Sequence, residues 1–350
     1  MSWDPIIFNT GVLIASVFLL DYGADKFIDH TVIVGRSLGV SQTLIALLTA
    51  GAEYEELAVV VAALLQHRQP LAMGNLLGST VSNILGAFSL GLLFDRNPIG
   101  FDRSAKFYAA VLLAVTTLFV LLAFLNQLTK PVGGLLIALF ACYVISIFYA
   151  IYQGFAVAPA LSDSDSEADS PPDPEIPVTE ETPLIGNGNQ SADSPVLCTR
   201  SLLYHTTQLL YGLLALSLAG YLLSHSAATI TDCLHLSGTV FGLTILSFAT
   251  TLPEKFIAIL SGSRGHVNVM AATAAGSNIF LLTLCAGVVA LAGQTSDQLD
   301  TFVLFDLVAV WTSSLLFCVV VLLGLGRIAG VLLLVAYLVF LGLEFTIYRR

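Results

Sequence analysis

About ten long apolar runs divide this sequence, and they constrain its fold more than any other feature does. Of the 350 residues, 56% are hydrophobic and only 11% are charged, whereas roughly a quarter of the residues in a soluble domain are charged. About 20 apolar residues span a bilayer as a helix, because a backbone in hydrocarbon must satisfy its own polar groups. The sequence therefore predicts an all-α polytopic membrane protein.

The apolar runs fall into two groups of five. In the first half they lie near 6–30, 38–65, 70–94, 106–126 and 131–155. In the second half they lie near 202–226, 238–262, 266–294, 302–325 and 327–348. Two related halves with an odd number of spans must enter the membrane in opposite orientations, as in many secondary transporters. We therefore expect about ten transmembrane helices as 5+5 inverted-topology repeats, over 1–157 and 201–350.

Residues 158–200, between the two halves, differ in character from the rest of the chain. From Asp163 to Asp193 there are nine acidic residues and no basic ones. Such a segment cannot bury a core, so we predict a disordered acidic linker. Seven Lys and Arg residues lie on the linker side of the predicted membrane and four lie on the opposite side. This difference favours a cytoplasmic linker. The expected partner of the helical part of the chain is the lipid bilayer, and no nucleic-acid-binding surface is expected.

Each half carries an acidic residue at the same distance from a Gly-Ser pair. Glu56 lies 22 residues before Gly78, and Glu254 lies 22 residues before Gly276. One offset of 198 residues therefore aligns both features. A carboxylate in the middle of a membrane costs roughly 2.5–3.5 kcal/mol on insertion scales. Each glutamate thus needs a neighbouring hydrogen-bond partner, a proton or a cation.

Hydroxyl groups accompany the second glutamate. Thr250 and Thr251 precede Glu254 by four and three residues. Positions with these spacings share a helix face. We therefore expect both hydroxyls to flank the Glu254 carboxylate.

Amides and further hydroxyls follow each glutamate along the chain. Asn75, Ser79 and Asn83 are four residues apart and predict a polar stripe down the third run, and Ser277 and Asn278 occupy the eighth run. Carboxylate, hydroxyl and amide oxygens suit a hard cation such as Ca²⁺, which takes about 6–8 of them. Neither motif contains Cys or His, which argues against Zn²⁺ or Cu⁺.

Helix-breaking residues lie within both motifs, namely Gly51, Gly74, Gly78, Pro253 and Gly276. An interrupted helix frees backbone carbonyls near the middle of the membrane, where they can coordinate an ion. Close packing between helices is the alternative role for the glycines.

These motifs resemble those of the cation/Ca²⁺ exchanger superfamily, which has two α-repeats in ten spans. Residues 249–254, with 276–280, match its second motif closely, and the first motif matches at Glu56 and at parts of 74–83. The resemblance implies that Glu56 and Glu254 are the central Ca²⁺ carboxylates. It also implies that Ca²⁺ and Na⁺ sites are lined by hydroxyl and amide side chains: Thr250, Thr251, Ser79, Ser277 and Asn83. Backbone carbonyls near Thr49 and Ser247 would contribute to flanking sites.

The first repeat departs from the family pattern and is richer in acid. Ala52 and Glu53 stand where hydroxyl residues are expected, Glu55 replaces a proline, and Leu281 replaces an acidic or amide residue in the second repeat. Glu53 and Glu56 share a helix face, so both cannot remain ionised without a cation or a proton between them. We include Glu53 as a candidate ligand, as well as Asn75 and Asn278.

Other charges lie in the apolar runs. Lys255 follows Glu254 and is about 100° away from it on a helix, so we expect it to point elsewhere, although its ammonium could occupy an ion site. Asp306 and Glu344 are expected to form hydrogen bonds between helices. Four charged residues cluster near the end of the first run: Asp21, Asp25, Lys26 and Asp29. They predict an ion-paired helix end.

The function that these features favour is a secondary active antiporter that exchanges Ca²⁺ for Na⁺ or H⁺ by alternating access. It would use no cofactor besides the transported ions and would not be an enzyme. An exchanger of the same fold that is proton-coupled or carries another cation is one alternative, and a transport-inactive membrane scaffold or sensor is another. The counter-ion, the particular membrane and the oligomeric state are left open.

Overall fold

The computed structural model describes residues 3–38, 53–95, 100–152, 195–292 and 304–346, and regular secondary structure in these ranges is helical. The helices are α1 (Trp3–Ser37), α2 (Tyr54–Leu65), α3 (Gln69–Phe94), α4 (Arg103–Phe124), α5 (Lys130–Tyr152), α6 (Pro195–Leu234), α7 (Gly238–Thr250), α8 (Leu252–Ser263), α9 (Val267–Ala292), α10 (Leu304–Leu323) and α11 (Arg327–Thr346). Eight of the described helices are long and apolar enough to cross a membrane, and α7 with α8 forms a bent ninth span. The predicted all-α polytopic class is confirmed.

The helices follow the predicted apolar runs, with differences at their ends. The first helix continues to Ser37, and α6 begins at Pro195, so the last residues of the predicted linker are helical. The rest of the predicted linker, from 158 to 194, lies outside the described residues. The run near 38–65 is described only from Glu53 onwards, where α2 provides its second part.

The two halves repeat each other in three dimensions with the spacing seen in the sequence. Helices α2 and α8 have the same length of 12 residues, and each bound of α8 lies 198 residues after that of α2. The Thr116 hydroxyl of α4 lies 2.9 Å from the Ser314 hydroxyl of α10, and these residues are also 198 apart. Equivalent residues can touch only near the axis that relates the two halves. This contact agrees with the expected inverted repeat.

The helices form a central group and an outer pair. Helices α3 and α9 are mostly enclosed by the others, whereas α1 is largely exposed. Helices α1 and α6 pack along each other and share an apolar cluster separate from the main core. A Cβ at Gly23 would lie 2.7 Å from the Leu216 amide nitrogen, and one at Gly212 would lie 2.6 Å from that of Phe27. The outer pair therefore needs small residues at this contact.

The helices are interrupted at positions other than the glycines where breaks were predicted. Gly74, Gly78 and Gly276 all lie inside regular helical segments, so the prediction that they interrupt helices is wrong. Gly74 and Gly78 are instead packing positions, because a Cβ at either would collide with α7. Gly51 lies outside the described residues.

Two other kinds of irregularity replace the expected breaks. Short π-helical turns interrupt α3 at Ser82–Phe88, α7 at Gly242–Leu246 and α9 at Leu281–Cys285. The chain bends by 49° between α7 and α8, immediately before Pro253. Pro253 is thus the one predicted breaker among the described residues that lies at a break. Turns of the π type often mark functional sites.

The charged cluster of the first run does not form a helix end. Its four residues lie inside α1, because this helix continues beyond them to Ser37. The ammonium of Lys26 lies 5.9 Å from the centroid of the Tyr22 ring. Within the described ranges, the one salt bridge joins Arg68 to Asp232. The predicted ion-paired helix end is therefore wrong.

Candidate ion-binding site

The two repeated glutamates occupy equivalent positions at the start of short helices. Glu56 lies in the first turn of α2, and Glu254 lies in the first turn of α8, where Pro253 is one of the first helical residues. Proline suits this position because the backbone there needs no helical N–H donor. The partial positive charge at a helix N-terminus favours a carboxylate in the first turn. Both repeats thus present an acid at the start of a helix.

Glu56 is fully buried and receives hydroxyl groups from both halves. The Ser79 hydroxyl donates a 2.9 Å hydrogen bond to Glu56 Oε1, and the Thr250 hydroxyl, which donates to the Ser247 carbonyl, also interacts with this carboxyl. The other oxygen, Oε2, is buried and has no hydrogen-bond partner among the described residues. It is available to a ligand.

The threonines do not flank Glu254 as expected. The Thr250 and Thr251 hydroxyls both donate to the Ser247 carbonyl, at 3.3 and 2.6 Å, and Thr250 also interacts with Glu56. The expectation assumed one continuous helix, but the chain bends between Thr251 and α8. Positions three or four residues apart therefore do not share a face across this bend. The Ser247 carbonyl, expected near a flanking site, already accepts these bonds.

Glu53 connects the two halves at the N-terminus of α2. It is buried, and the Asn83 side-chain amide donates a 3.4 Å hydrogen bond to its Oε1. Ser277 and Glu254 also lie close enough to interact with this carboxyl. Two acids this close cannot both remain ionised without a cation or a proton between them. The added acid of the first repeat is therefore part of the same cluster as Glu254.

Several oxygens of the two repeated motifs are buried without a hydrogen-bond partner in the part of the chain that the structure describes. They belong to carboxylate or amide groups: Glu56 Oε2, Glu254 Oε2, Asn75 Oδ1, Asn83 Oδ1 and Asn278 Oδ1. Burying such groups unpaired is costly, and a cation would satisfy them. Within the described ranges, no three or more His, Cys, Asp or Glu side chains are arranged as a metal site by themselves. A bound cation would therefore need hydroxyl and amide oxygens as well.

Lys255 is buried and points into this polar region, so the expectation that it points elsewhere is wrong. Its ammonium donates to the Ser82 hydroxyl at 2.9 Å, and to the carbonyl and hydroxyl oxygens of Thr251 at 3.0 and 2.5 Å. The Tyr337 hydroxyl of α11 lies 3.0 Å from that of Ser82. Sequence reasoning did not identify Ser82 or Tyr337. A lysine inside an apolar run was the available signal, because a buried ammonium needs acceptors.

Two further residues of α9 complete the surroundings of the acids. Leu281 is fully buried at the start of the π-helical turn, so an apolar side chain fills the position where a ligand was expected. Cys285, at the end of the same turn, is fully buried and close enough to interact electrostatically with Glu53 and Glu56. Cys285 packs in the main apolar core. The sequence motifs did not suggest this position.

Comparison with known proteins gives consistent results over nearly the whole chain. CaxA of Alkalimonas amylolytica, described as an antiporter, is 27% identical over 285 residues, which cover 79% of this chain and 80% of CaxA. A structure of the sodium-calcium exchanger NCX_Mj has a TM-score of 0.58 and 20% identity, covering 96% of this chain and 98% of the other. The structure of YfkE has a TM-score of 0.63 and 16% identity, covering 95% and 89%. These two structures share the fold.

The family model described as "Sodium/calcium exchanger protein" matches two segments, 8–149 and 204–346. The first segment contains most of α1 and α5 and all of α2 to α4, and the second contains most of α6 and all of α7 to α11. The match therefore covers both halves and leaves out the acidic linker between them. The chain belongs to the sodium/calcium exchanger protein family.

Proposed function

We propose that this protein is a secondary active antiporter that exchanges Ca²⁺ for H⁺ or Na⁺ by alternating access. The observation that carries the proposal is the pair of equivalent glutamates, Glu56 and Glu254, each in the first turn of a short helix and each with a buried oxygen left unpaired by the described residues. Discontinuous helices of this kind form ion sites in many transporters. The family match and the antiporter description of CaxA support a cation antiporter.

The proposed Ca²⁺ ligands are oxygens of the acid cluster and of the polar stripe beside it. Glu53, Glu56 and Glu254 supply carboxylates, and the remaining ligands are hydroxyl and amide oxygens: Ser79, Thr250, Ser277, Asn75, Asn83 and Asn278. This set is of the hard type that Ca²⁺ prefers. Thr251 differs from the others because its hydroxyl and its carbonyl both accept hydrogen bonds from Lys255.

The charges of the cluster favour a divalent cation. Three ionised glutamates and one lysine ammonium leave two negative charges, which one divalent ion would neutralise. Glu55 is left out of this count because it is not one of the proposed ligands, although its carboxyl interacts electrostatically with those of Glu56 and Glu53. When the divalent ion leaves, monovalent cations or protons would have to replace its charge. This requirement supports exchange rather than simple passage.

The acid cluster favours protons as counter-ions. Glu53 and Glu254 interact closely, and two such acids cannot both stay ionised without a cation or a proton between them. Uptake of ⁴⁵Ca²⁺ into vesicles with an outward-directed proton gradient and no Na⁺ tests H⁺ as the counter-ion. Uptake driven by a Na⁺ gradient at constant pH tests Na⁺. Uptake that needs Na⁺ and ignores the proton gradient would exclude protons as the driving ion.

The outer pair, α1 and α6, is the part that would move. It packs mostly on itself through a separate apolar cluster, and an ion pair between Arg68 and Asp232 connects α6 to the turn before α3. Both side chains of this pair are half-exposed, so its contribution is small, about 0–1 kcal/mol. A weak link of this kind would allow the pair to shift relative to the central helices.

Ion flux in reconstituted vesicles tests the function directly. Glu56→Gln and Glu254→Gln keep the size of each side chain but remove its charge, so each should abolish ⁴⁵Ca²⁺ movement. Glu344→Gln is the matched control, because Glu344 is also a buried glutamate but lies on α11 outside the acid cluster. We expect it to retain flux. Size-exclusion profiles and thermal unfolding would check folding, and retained flux in both site variants would refute the proposal.

A further inference from the structure

The Lys255 ammonium lies in an oxygen site that matches its hydrogen-bonding capacity. An ammonium has three N–H donors and no acceptor. Three oxygens lie within 3.0 Å of Nζ: Ser82 Oγ, Thr251 O and Thr251 Oγ1. Each donor thus has an acceptor, and none of these acceptors is charged. We call Ser82, Thr251 and Tyr337 the lysine pocket.

Among the described residues, no salt bridge holds the Lys255 ammonium. No carboxylate of the described residues forms an ion pair with Lys255, although Glu53, Glu56 and Glu254 are close enough to interact with it electrostatically. A lysine whose role was to neutralise one glutamate would contact that carboxylate. Here the ammonium instead donates hydrogen bonds to hydroxyl and carbonyl oxygens beside the acids. Oxygens of this kind bind small monovalent cations.

The surrounding chain accommodates the lysine stem. Gly86 lies in the π-helical turn of α3, and a Cβ there would be 3.3 Å from Lys255 Cε and 3.5 Å from a ring carbon of Tyr337. The Phe248 ring covers the ammonium, with its centroid 4.7 Å from Nζ, at a distance suited to a cation–π contact. Ser82 of α3, Phe248 of α7 and Thr251 at the bend before α8 therefore surround the ammonium.

We propose that Lys255 is a built-in monovalent cation that permanently fills one cation subsite, formed by Thr251 and Ser82, beside the divalent site. This inference rests on the proposed antiport. It assigns Lys255 as the residue that determines how many dissolved cations the exchanger takes. With the ammonium in place, the cycle needs one monovalent cation fewer than it would with an empty subsite. Removal of the lysine side chain should create a requirement for a small dissolved cation.

Equilibrium self-exchange of ⁴⁵Ca²⁺ isolates this effect, because it needs no counter-ion gradient. The full chain is reconstituted with identical solutions on both sides, containing either N-methylglucamine, which is too large for the pocket, or methylammonium. Wild type should exchange equally in both. Lys255→Ala should lose about tenfold in N-methylglucamine, within the usual range of coupling between two sites, and methylammonium should restore the rate. Lys26→Ala, which removes an ammonium from α1, should behave as wild type.

Two further measurements keep the test decisive. Methylammonium should raise the thermal unfolding temperature of Lys255→Ala but not of wild type, because a ligand stabilises only the protein that binds it. Lys255→Met keeps most of the stem, so it should show the loss without the rescue. Equal self-exchange of Lys255→Ala in both solutions would overturn the proposal, as would a loss in the folded variant that methylammonium does not repair. An absence of wild-type flux would refute the antiport instead, and the stability measurement would still test the pocket.

Discussion

Replacing Gly78 by alanine should separate two central helices beside the acid cluster. A Cβ at this position would lie 2.6 Å from the Cβ of Ser247 and would also collide with the carbonyl oxygen of Leu243. Ordinary contacts between carbon atoms are about 3.5–4.0 Å, so α3 and α7 would have to move apart by about 1 Å. Overpacking of this kind typically costs about 1–3 kcal/mol of stability.

The same substitution should also impair transport. Ser79 follows Gly78 directly and donates the hydrogen bond to Glu56, while Thr250, at the end of α7, approaches the same carboxyl from the other side. A displacement of about 1 Å at a site that depends on geometry can cost about a hundredfold in rate. We therefore expect Gly78→Ala to lower the free energy of unfolding by about 1–3 kcal/mol and to reduce ⁴⁵Ca²⁺ exchange by about one hundredfold.

Gly134→Ala is the matched control for this experiment. Gly134 is exposed on α5, and a Cβ there would meet nothing within 4 Å. Alanine favours a helix over glycine by about 1 kcal/mol, so the control should be as stable as wild type or slightly more so, with unchanged flux. Thermal unfolding in detergent and flux in vesicles measure both effects. If Gly78→Ala matches Gly134→Ala in both assays, the reasoning from close packing is refuted.

The remaining predictions concern single ligands. Ser79→Ala removes a hydrogen bond to a carboxylate, worth about 1.5–3 kcal/mol, and should weaken Ca²⁺ binding at least about tenfold. The control Ser313→Ala, whose hydroxyl bonds only a carbonyl of its own helix, should not, and equal Ca²⁺ titrations for the two variants would contradict this assignment. Leu281→Asn places an amide oxygen on the start of the π-helical turn of α9 and should increase the competition of Na⁺ with Ca²⁺ binding. Unchanged competition would mean that this position lies too far from the cation.

The sequence predicted the membrane-spanning helices well because hydrocarbon leaves the backbone few options. Each apolar run with a described counterpart contains a helix, and the offset of 198 residues recurs in the bounds of α2 and α8. The side-chain pairings within the site were harder to predict. Thr250 was assigned to Glu254 on the assumption of a continuous helix, but the chain bends before α8, and the Thr250 hydroxyl bonds the Ser247 carbonyl and interacts with Glu56 instead.

Glycines and the lysine show two further limits of reasoning from sequence. A glycine in an apolar run can break a helix or permit close packing, and only the position of α7 against Gly74 and Gly78 decides between these roles. Lys255 was placed away from the site by helical periodicity. Its long side chain reaches back to Thr251 and across to Ser82, so the direction of its Cα–Cβ bond alone does not predict where the ammonium lies.

The hydroxyl contact between Thr116 and Ser314 has a consequence for how such a molecule can change its shape. In alternating access by inverted repeats, each half adopts in turn the conformation that the other half had before. When the two halves exchange conformations, a contact between two equivalent residues stays the same contact. The contact of Arg68 with Asp232 does not join equivalent residues, so this argument does not apply to it. The bond between α4 and α10 can therefore persist unchanged in both states while the outer pair of helices shifts past the central ones.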